Sequence, residues 1–196
     1  MSSRPYHHGN LRAALLEQAE RTVADGGAQA LSLRELARDI GVSHAAPRRH
    51  FPDRQALLDA LAEEGFDRLG DELERAVAAA GPSFGPRLHA LSQAYIAFAI
   101  RHAALLELMF AGKERAGADR VREAADRVFA TALAVFAEAQ AAGELPVGDP
   151  GRVAIVAFAA LQGLAAMANG GMIDSAPVDE VVTDAVDQLL DGLRPR

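Results

Sequence analysis

The chain has 196 residues, half of them apolar, a net charge of −7 and no cysteine. That is enough chain for one medium domain or two small ones sharing a core, and the lack of cysteine excludes a disulfide framework, a thiolate zinc site and a cysteine nucleophile. The overall acidity argues against a general nucleic-acid coat.

The opening "MSSRPYHHGN" has no apolar stretch of the kind a signal peptide needs. The longest apolar run, around 153–168, is interrupted by Gln162 and Gly163 and reads as shorter than the roughly 20 residues that span a bilayer. The expectation is a soluble, cytoplasmic protein with no membrane partner. Charge is uneven along the chain. Residues 1–52 hold seven Arg and five acids, a net of +2, and the remainder holds 13 basic and 22 acidic residues, a net of −9. A mildly basic head on an acidic body suggests that only the head meets a polyanion.

Every segment reads helical, because alanine is abundant and period-two alternation of β-branched or aromatic residues is rare. A first helix is predicted from Leu11 to Ala24, capped by Asn10 and stopped at Gly26-Gly27. The second runs from Leu33 to Ile40, with Leu33, Leu36, Ala37 and Ile40 on one face. Ser32 followed by Glu35 makes a capping box at its start, and Gly41 ends it. A third helix follows after Val42 and Ser43, with Ser43 as its cap, and stops at Phe51-Pro52. Asp53 caps a fourth helix over 54–80. Gly81-Pro82 and Gly85-Pro86 mark a break. Beyond it helices are predicted at 86–111, 118–142, 150–168 and 177–193, the last two entered through Asp149-Pro150 and Ala176-Pro177. This divides the chain into an N-terminal domain over 1–53, a connecting helix over 54–80 and a C-terminal domain over 81–196, about nine helices and all-α.

Two helices joined by a short glycine turn, the second of them short, fit a helix-turn-helix. Its small core would be Leu36, Ala37, Ile40, Val42 and Phe51, closed by Leu15 and Leu58. The third helix, "SHAAPRRH", has almost no apolar face. His44, Ala45, Ala46, Arg48, Arg49 and His50 are wrong for a core and right for a DNA major groove, where Arg forks onto guanine and Ala meets a thymine methyl. Pro47 is the fourth residue of that helix, so it should distort the first turn rather than abolish the helix.

The stretch "LSLRELARDIGVSHAAPRRHFPDRQALL" resembles the TetR family of transcriptional regulators. The likeness covers residues 6–66, with Ala37, Gly41, Val42, Ser43, His50, Phe51 and the Leu57-Leu58 pair falling in place. "YHHGNLRAALL" and "VSHAAP" resemble one branch of it. The resemblance implies a DNA-binding head made of Ser32, Ser43, His44, Ala45, Ala46, Arg48, Arg49, His50 and Arg54. In that scheme Ser32, His50 and Arg54 hold phosphates, and His44, Ala45, Ala46 and Arg49 read the groove. Tyr6, His7 and His8 would touch the backbone or the minor groove. Position 48 is usually aromatic in the family. Arg48 departs from that, and either a phosphate or a base edge is open to it.

In the body, 177–193 carries apolar residues at 178, 181, 182, 185, 186, 189, 190 and 193, and 153–168 is apolar nearly all round. Such helices need cover on more than one side, which points to a homodimer through a four-helix bundle of 150–168 and 177–193 from each subunit. A pocket for a small hydrophobic or amphipathic effector is predicted among Tyr95, Phe98, His102, Met109, Phe110, Phe129, Phe136, Phe158 and Gln162. Together these give a repressor released from a palindromic double-stranded DNA operator by that effector. The alternative is a dimeric small-molecule or protein-binding module without DNA binding. No catalytic motif, metal-ligand set or phosphate loop occurs, and His102 and Glu107, five apart, share a helical face poorly. No enzyme activity, metal or cofactor is expected.

Overall fold

The periodic segments fold into eight α-helices in a computed structural model that describes residues 11–173 and 177–193, and no strand occurs among those residues. They are α1 (Leu11–Gly26), α2 (Leu33–Asp39), α3 (Arg54–Ala79), α4 (Phe84–Arg101), α5 (Ala103–Lys113), α6 (Asp119–Ala141), α7 (Pro150–Asn169) and α8 (Val178–Leu193). Short 3₁₀ turns lie at Ala28–Ala30 and Pro47–Arg49. Asn10, Tyr6, His7 and His8, read above as a cap and as DNA contacts, lie outside the described residues.

The chain falls into two compact units. One takes the chain up to Gly65 together with Ala104–Arg122; the other takes Phe66–Ala103 and the chain from Glu123 on. In the first, α1 packs against α2 and both 3₁₀ turns. Leu15, Leu36, Ala37, Phe51 and Leu58 are buried as the pattern requires, while Ile40 and Val42 are only half-buried. Gly41 takes φ +75°. It lets the amides of Gly41 and Val42 fold back on the carbonyls of Arg38 (3.2 Å) and Ala37 (2.9 Å), which satisfies the end of α2. The start of α2 differs from the expected capping box. Ser32 has the extended backbone of a cap but its hydroxyl makes no cap bond, and Glu35 lies 4.0 Å from Arg38 instead. Asp53 does cap α3, accepting from the amide of Ala56 at 2.8 Å.

In the second unit α4 packs on α7 and α8, which also pack on each other. Asp149 caps α7 through the amide of Gly151 at 2.9 Å, with Pro150 at the first helical position. The single helix expected over 86–111 is two. α4 stops at Arg101, and His102 leaves helical geometry at φ −127°, ψ 40°. No Gly or Pro marks this break. The carbonyl that the break frees is satisfied from elsewhere in the unit: Ala99 accepts from Asn169 Nδ2 at 3.2 Å, so a side chain of α7 stands in for the next turn's amide.

α7 also corrects a length estimate. The helix runs 20 residues with a mean hydropathy of 1.6, so by length and composition alone it is long and apolar enough to cross a membrane. One stripe of it is buried, through Ala154, Ala157, Leu161 and Ala165. Other large apolar side chains of α7 stand in solvent: Ile155 is 58% exposed, Val156 62% and Met167 42%.

Candidate nucleic-acid interface

The segment after α2 is where sequence and structure differ most in form. Pro47 has no amide hydrogen, so the α-type bond from position 47 to Ser43 cannot exist. The Ser43 carbonyl accepts from Ala46 instead, at 2.9 Å. Arg49 then donates to Ala46 (3.2 Å) and His50 to Pro47 (3.0 Å), all three-residue steps. Only Phe51, donating to Pro47 at 2.9 Å, makes an α-type bond. The third helix is thus turns at His44 and Ala45 followed by one 3₁₀ turn. The proline reaches past the first turn, because two of its neighbours now bond at three-residue spacing.

Pro47 is also the anchor, which the sequence reading missed. It is buried, as is Phe51, and its turn packs against α1 and α2. Ser43, His44, Ala45, Arg48, Arg49 and His50 are all exposed, and Ala46 is half-buried. Two arginines and two histidines therefore stand on a fixed turn facing solvent. Arg12 of α1, not singled out from sequence, lies over the Phe51 ring at 5.6 Å, and the His50 ring is 6.5 Å from the same ring. A pocket of about 600 Å³ opens beside them, lined also by Asp59, Glu63 and Arg120. Arg12 has no motif to reveal it; only the packing of α1 on the turn puts it there.

Ser32 sits half-buried at the α2 N-terminus with its hydroxyl not used on the helix. Arg54 is placed differently from the exposed residues of the turn. Its Nε donates to the Leu31 carbonyl at 3.0 Å and its Nη2 to the Ala28 carbonyl. It ties the start of α3 to the connection between α1 and α2.

The interior residues are divided between the two units. Tyr95, Phe158 and Gln162 meet in the second: the Tyr95 hydroxyl donates to Gln162 Oε1 at 2.5 Å, and its ring is edge-on to Phe158 at 5.7 Å. Burial pushes the Tyr95 phenol well above its ordinary value. Phe98 and His102 stack at 4.8 Å, and Phe136 meets Phe84 edge-on at 5.4 Å. Phe129, by contrast, is 36% exposed. Met109 and Phe110 belong to the first unit, Met109 fully buried and Phe110 beneath Lys113 Nζ at 5.1 Å. Ser92, not singled out from sequence, is buried in α4 with its hydroxyl unpartnered.

Comparison with known proteins agrees with this arrangement. Residues 15–61 match the family described as bacterial regulatory proteins, tetR family, and residues 88–193 match the tetracyclin repressor-like C-terminal domain. The chain is 35% identical over 66 residues to the HTH-type transcriptional regulator Rv1816 of Mycobacterium tuberculosis, a match spanning 34% of this chain and 28% of that relative's length. A solved structure from Rhodococcus sp. RHA1, described as a protein with unknown function, is 52% identical with a TM-score of 0.93, over 98% of this chain and 100% of that one. A transcriptional regulator of the TetR/AcrR family from Thermobifida fusca YX-ER1 is 26% identical with a TM-score of 0.70, over 95% of this chain and 100% of that one. With matches over both its helix-turn-helix segment and most of its remaining length, the chain belongs to the TetR family of bacterial regulatory proteins.

Proposed function

We propose that this protein is a cytoplasmic, ligand-responsive repressor that binds a palindromic double-stranded DNA operator as a homodimer. Residues 1–53 serve as the DNA-binding domain, 54–80 as the connecting helix, and 81–196 for ligand binding and dimerisation. The observation that carries the reading is the exposed His44, Arg48, Arg49 and His50 on a turn held by buried Pro47 and Phe51. Polar and basic side chains carried on an anchored backbone turn suit a major groove, because the backbone beneath them is already ordered before they bind. His44, Ala45, Ala46 and Arg49 read base edges; Ser32, Ser43 and His50 meet the DNA backbone, Arg48 meets a phosphate or a base edge, and Arg54 supports them from the start of α3.

Dimerisation is supported by α7 and α8. The exposed Ile155, Val156 and Met167 leave an apolar strip on α7, and α8 carries a wide apolar stripe of which only Val182 and Val186 are buried. A two-fold pairing through these helices presents two heads to half-sites about 34 Å apart. A small hydrophobic or amphipathic effector releases the operator by favouring a dimer state whose heads no longer match it. The Tyr95–Gln162 bond, a polar pair in an apolar interior, is the handle that supports such a site.

The test is selection of bound duplexes from random DNA, followed by anisotropy titrations with the selected and a scrambled duplex. Arg49→Ala is expected to weaken the selected duplex by about 1–3 kcal/mol and to relax sequence choice. Wild-type affinity and specificity in that variant would refute the assignment.

A further inference from the structure

A hollow of about 520 Å³ in the second unit is lined by Glu72 and Arg75 of α3, Ala94, Ala97 and Arg101 of α4, and His102 at the break. Three of its six lining side chains are bases and one is an acid. Glu72 accepts from Arg101 Nη2 at 2.5 Å, so part of one guanidinium is already engaged. Arg75 donates from Nε to the Asp71 carbonyl at 2.9 Å, which steadies the side chain along α3. Its two terminal nitrogens carry no ion pair among the described residues. Ala94, Ala97 and Arg101 follow one another at spacings of three and four along a single stripe of α4. Alanine at the first two leaves open the space that longer side chains would fill. The wall at the break is fixed as well, since the His102 ring packs on fully buried Phe98 and Asn169 holds the Ala99 carbonyl.

We propose that this hollow binds a small oxyanion, a carboxylate or a phosphate monoester, between the guanidinium groups of Arg75 and Arg101, with His102 beside it and the methyl groups of Ala94 and Ala97 beneath. Planar guanidinium forks match the geometry of both oxyanions, and two on neighbouring helices hold one anion from two sides. Glu72 is the built-in competitor for Arg101. Resting on the repressor reading above, the inference gives that repressor an anionic effector at a place apart from the Tyr95–Gln162 pair, since neither residue lines the hollow.

The experiment is isothermal titration of the full chain at low ionic strength with butyrate in one arm and inorganic phosphate in the other. Saturable binding of at least one is expected, weakened about tenfold by Arg75→Gln and by Arg101→Gln, each of which removes a charge-assisted contact. Glu72→Gln should tighten it, because the neutral amide no longer competes; a general effect on folding cannot raise affinity in one variant and lower it in the others. Butyrate binding alone assigns a carboxylate, and phosphate binding alone a phosphate. Absence of binding by both anions, or affinity unmoved by Arg75→Gln, would overturn the site. Operator affinity unchanged at saturating anion would overturn its effector role. The Arg49→Ala titration, run without anion, tests DNA reading separately.

Discussion

Arg54 offers the sharpest test of how the head is built. Its guanidinium donates to the carbonyls of Leu31 and Ala28, and Leu31 is only 3% exposed. Arg54→Ala removes both bonds and leaves one of those carbonyls where water reaches it poorly. Hydrogen bonds to a charged group contribute about 1.5–3 kcal/mol each. Because Ala28 is half-buried and water can replace part of the loss there, the total comes to about 2–3 kcal/mol. For a chain of this size that lowers the melting temperature by about 4–12 °C. Arg54→Lys, which can reach one carbonyl but not fork onto two, should fall between. The competing role is a direct phosphate contact, and it makes a different forecast. Losing one phosphate contact in each subunit, two per dimer, lowers the slope of log affinity against log salt by about 1.8 and leaves the melting temperature alone. Thermal unfolding and anisotropy at several salt concentrations, the latter well below the melting transition, therefore separate a strut from a clamp. We expect a lower melting temperature, weaker binding to every duplex and an unchanged slope. A wild-type melting temperature with a slope reduced by about 1.8 would refute the strut.

Two glycines of α3 should respond oppositely to alanine. A Cβ at Gly65 would meet buried Met109, 2.7 Å from its Sδ, so overpacking of about 1–3 kcal/mol outweighs the helix gain of about 1 kcal/mol. At Gly70 the Cβ would find Val128 at an ordinary 3.4 Å, and Gly70→Ala should raise the melting temperature; shifts of the same sign in both variants would sink the packing argument. Tyr95, whose phenol burial holds above its ordinary 10.0, keeps its proton in the folded chain where the unfolded chain loses it. Stability should therefore fall as pH rises beyond about 10, and Tyr95→Phe should flatten that fall in denaturant titrations. Val156→Asp places a carboxylate in the proposed dimer face, twice per dimer. It should weaken association by on the order of a hundredfold or more, read by sedimentation equilibrium, and unaltered assembly would move the interface elsewhere.

Much of the head was legible from local chemistry. The stop at Gly41 and the cap at Asp53 are short-range events, and the structure forms both. Where the local pattern failed, another contact stood in its place, near or far in sequence. The capping box at Ser32 and Glu35 reads well, yet Ser32 makes no cap bond. In the body, helix existence was readable and helix termination at His102 was not, because the group that satisfies the freed Ala99 carbonyl, Asn169, lies 70 residues along the chain. The aromatic residues behaved similarly. Spacing alone grouped Met109 and Phe110 with Tyr95 and Phe98, but the break at His102 puts them in different units. Arg75 and Arg101 were ordinary exposed helix residues in sequence, and nothing in their spacing pairs them across one hollow.

The proline in the recognition turn has a reason that reconciles the two descriptions. His44, Pro47, Arg48 and Phe51 stand at positions i, i+3, i+4 and i+7. In a continuous α-helix those four residues share one face. Phe51 is buried, so a regular helix would turn His44 and Arg48 toward the same interior. Burying an unpaired guanidinium together with an unpaired imidazole costs several kcal/mol, far more than the roughly one net hydrogen bond that regular helix geometry would add. Breaking the helix into three-residue turns removes the conflict. Pro47 and Phe51 go inward, while His44 and Arg48 stay exposed beside Arg49 and His50. The same residue that spoils the helix thus separates the part of the segment that anchors it from the part proposed to read DNA.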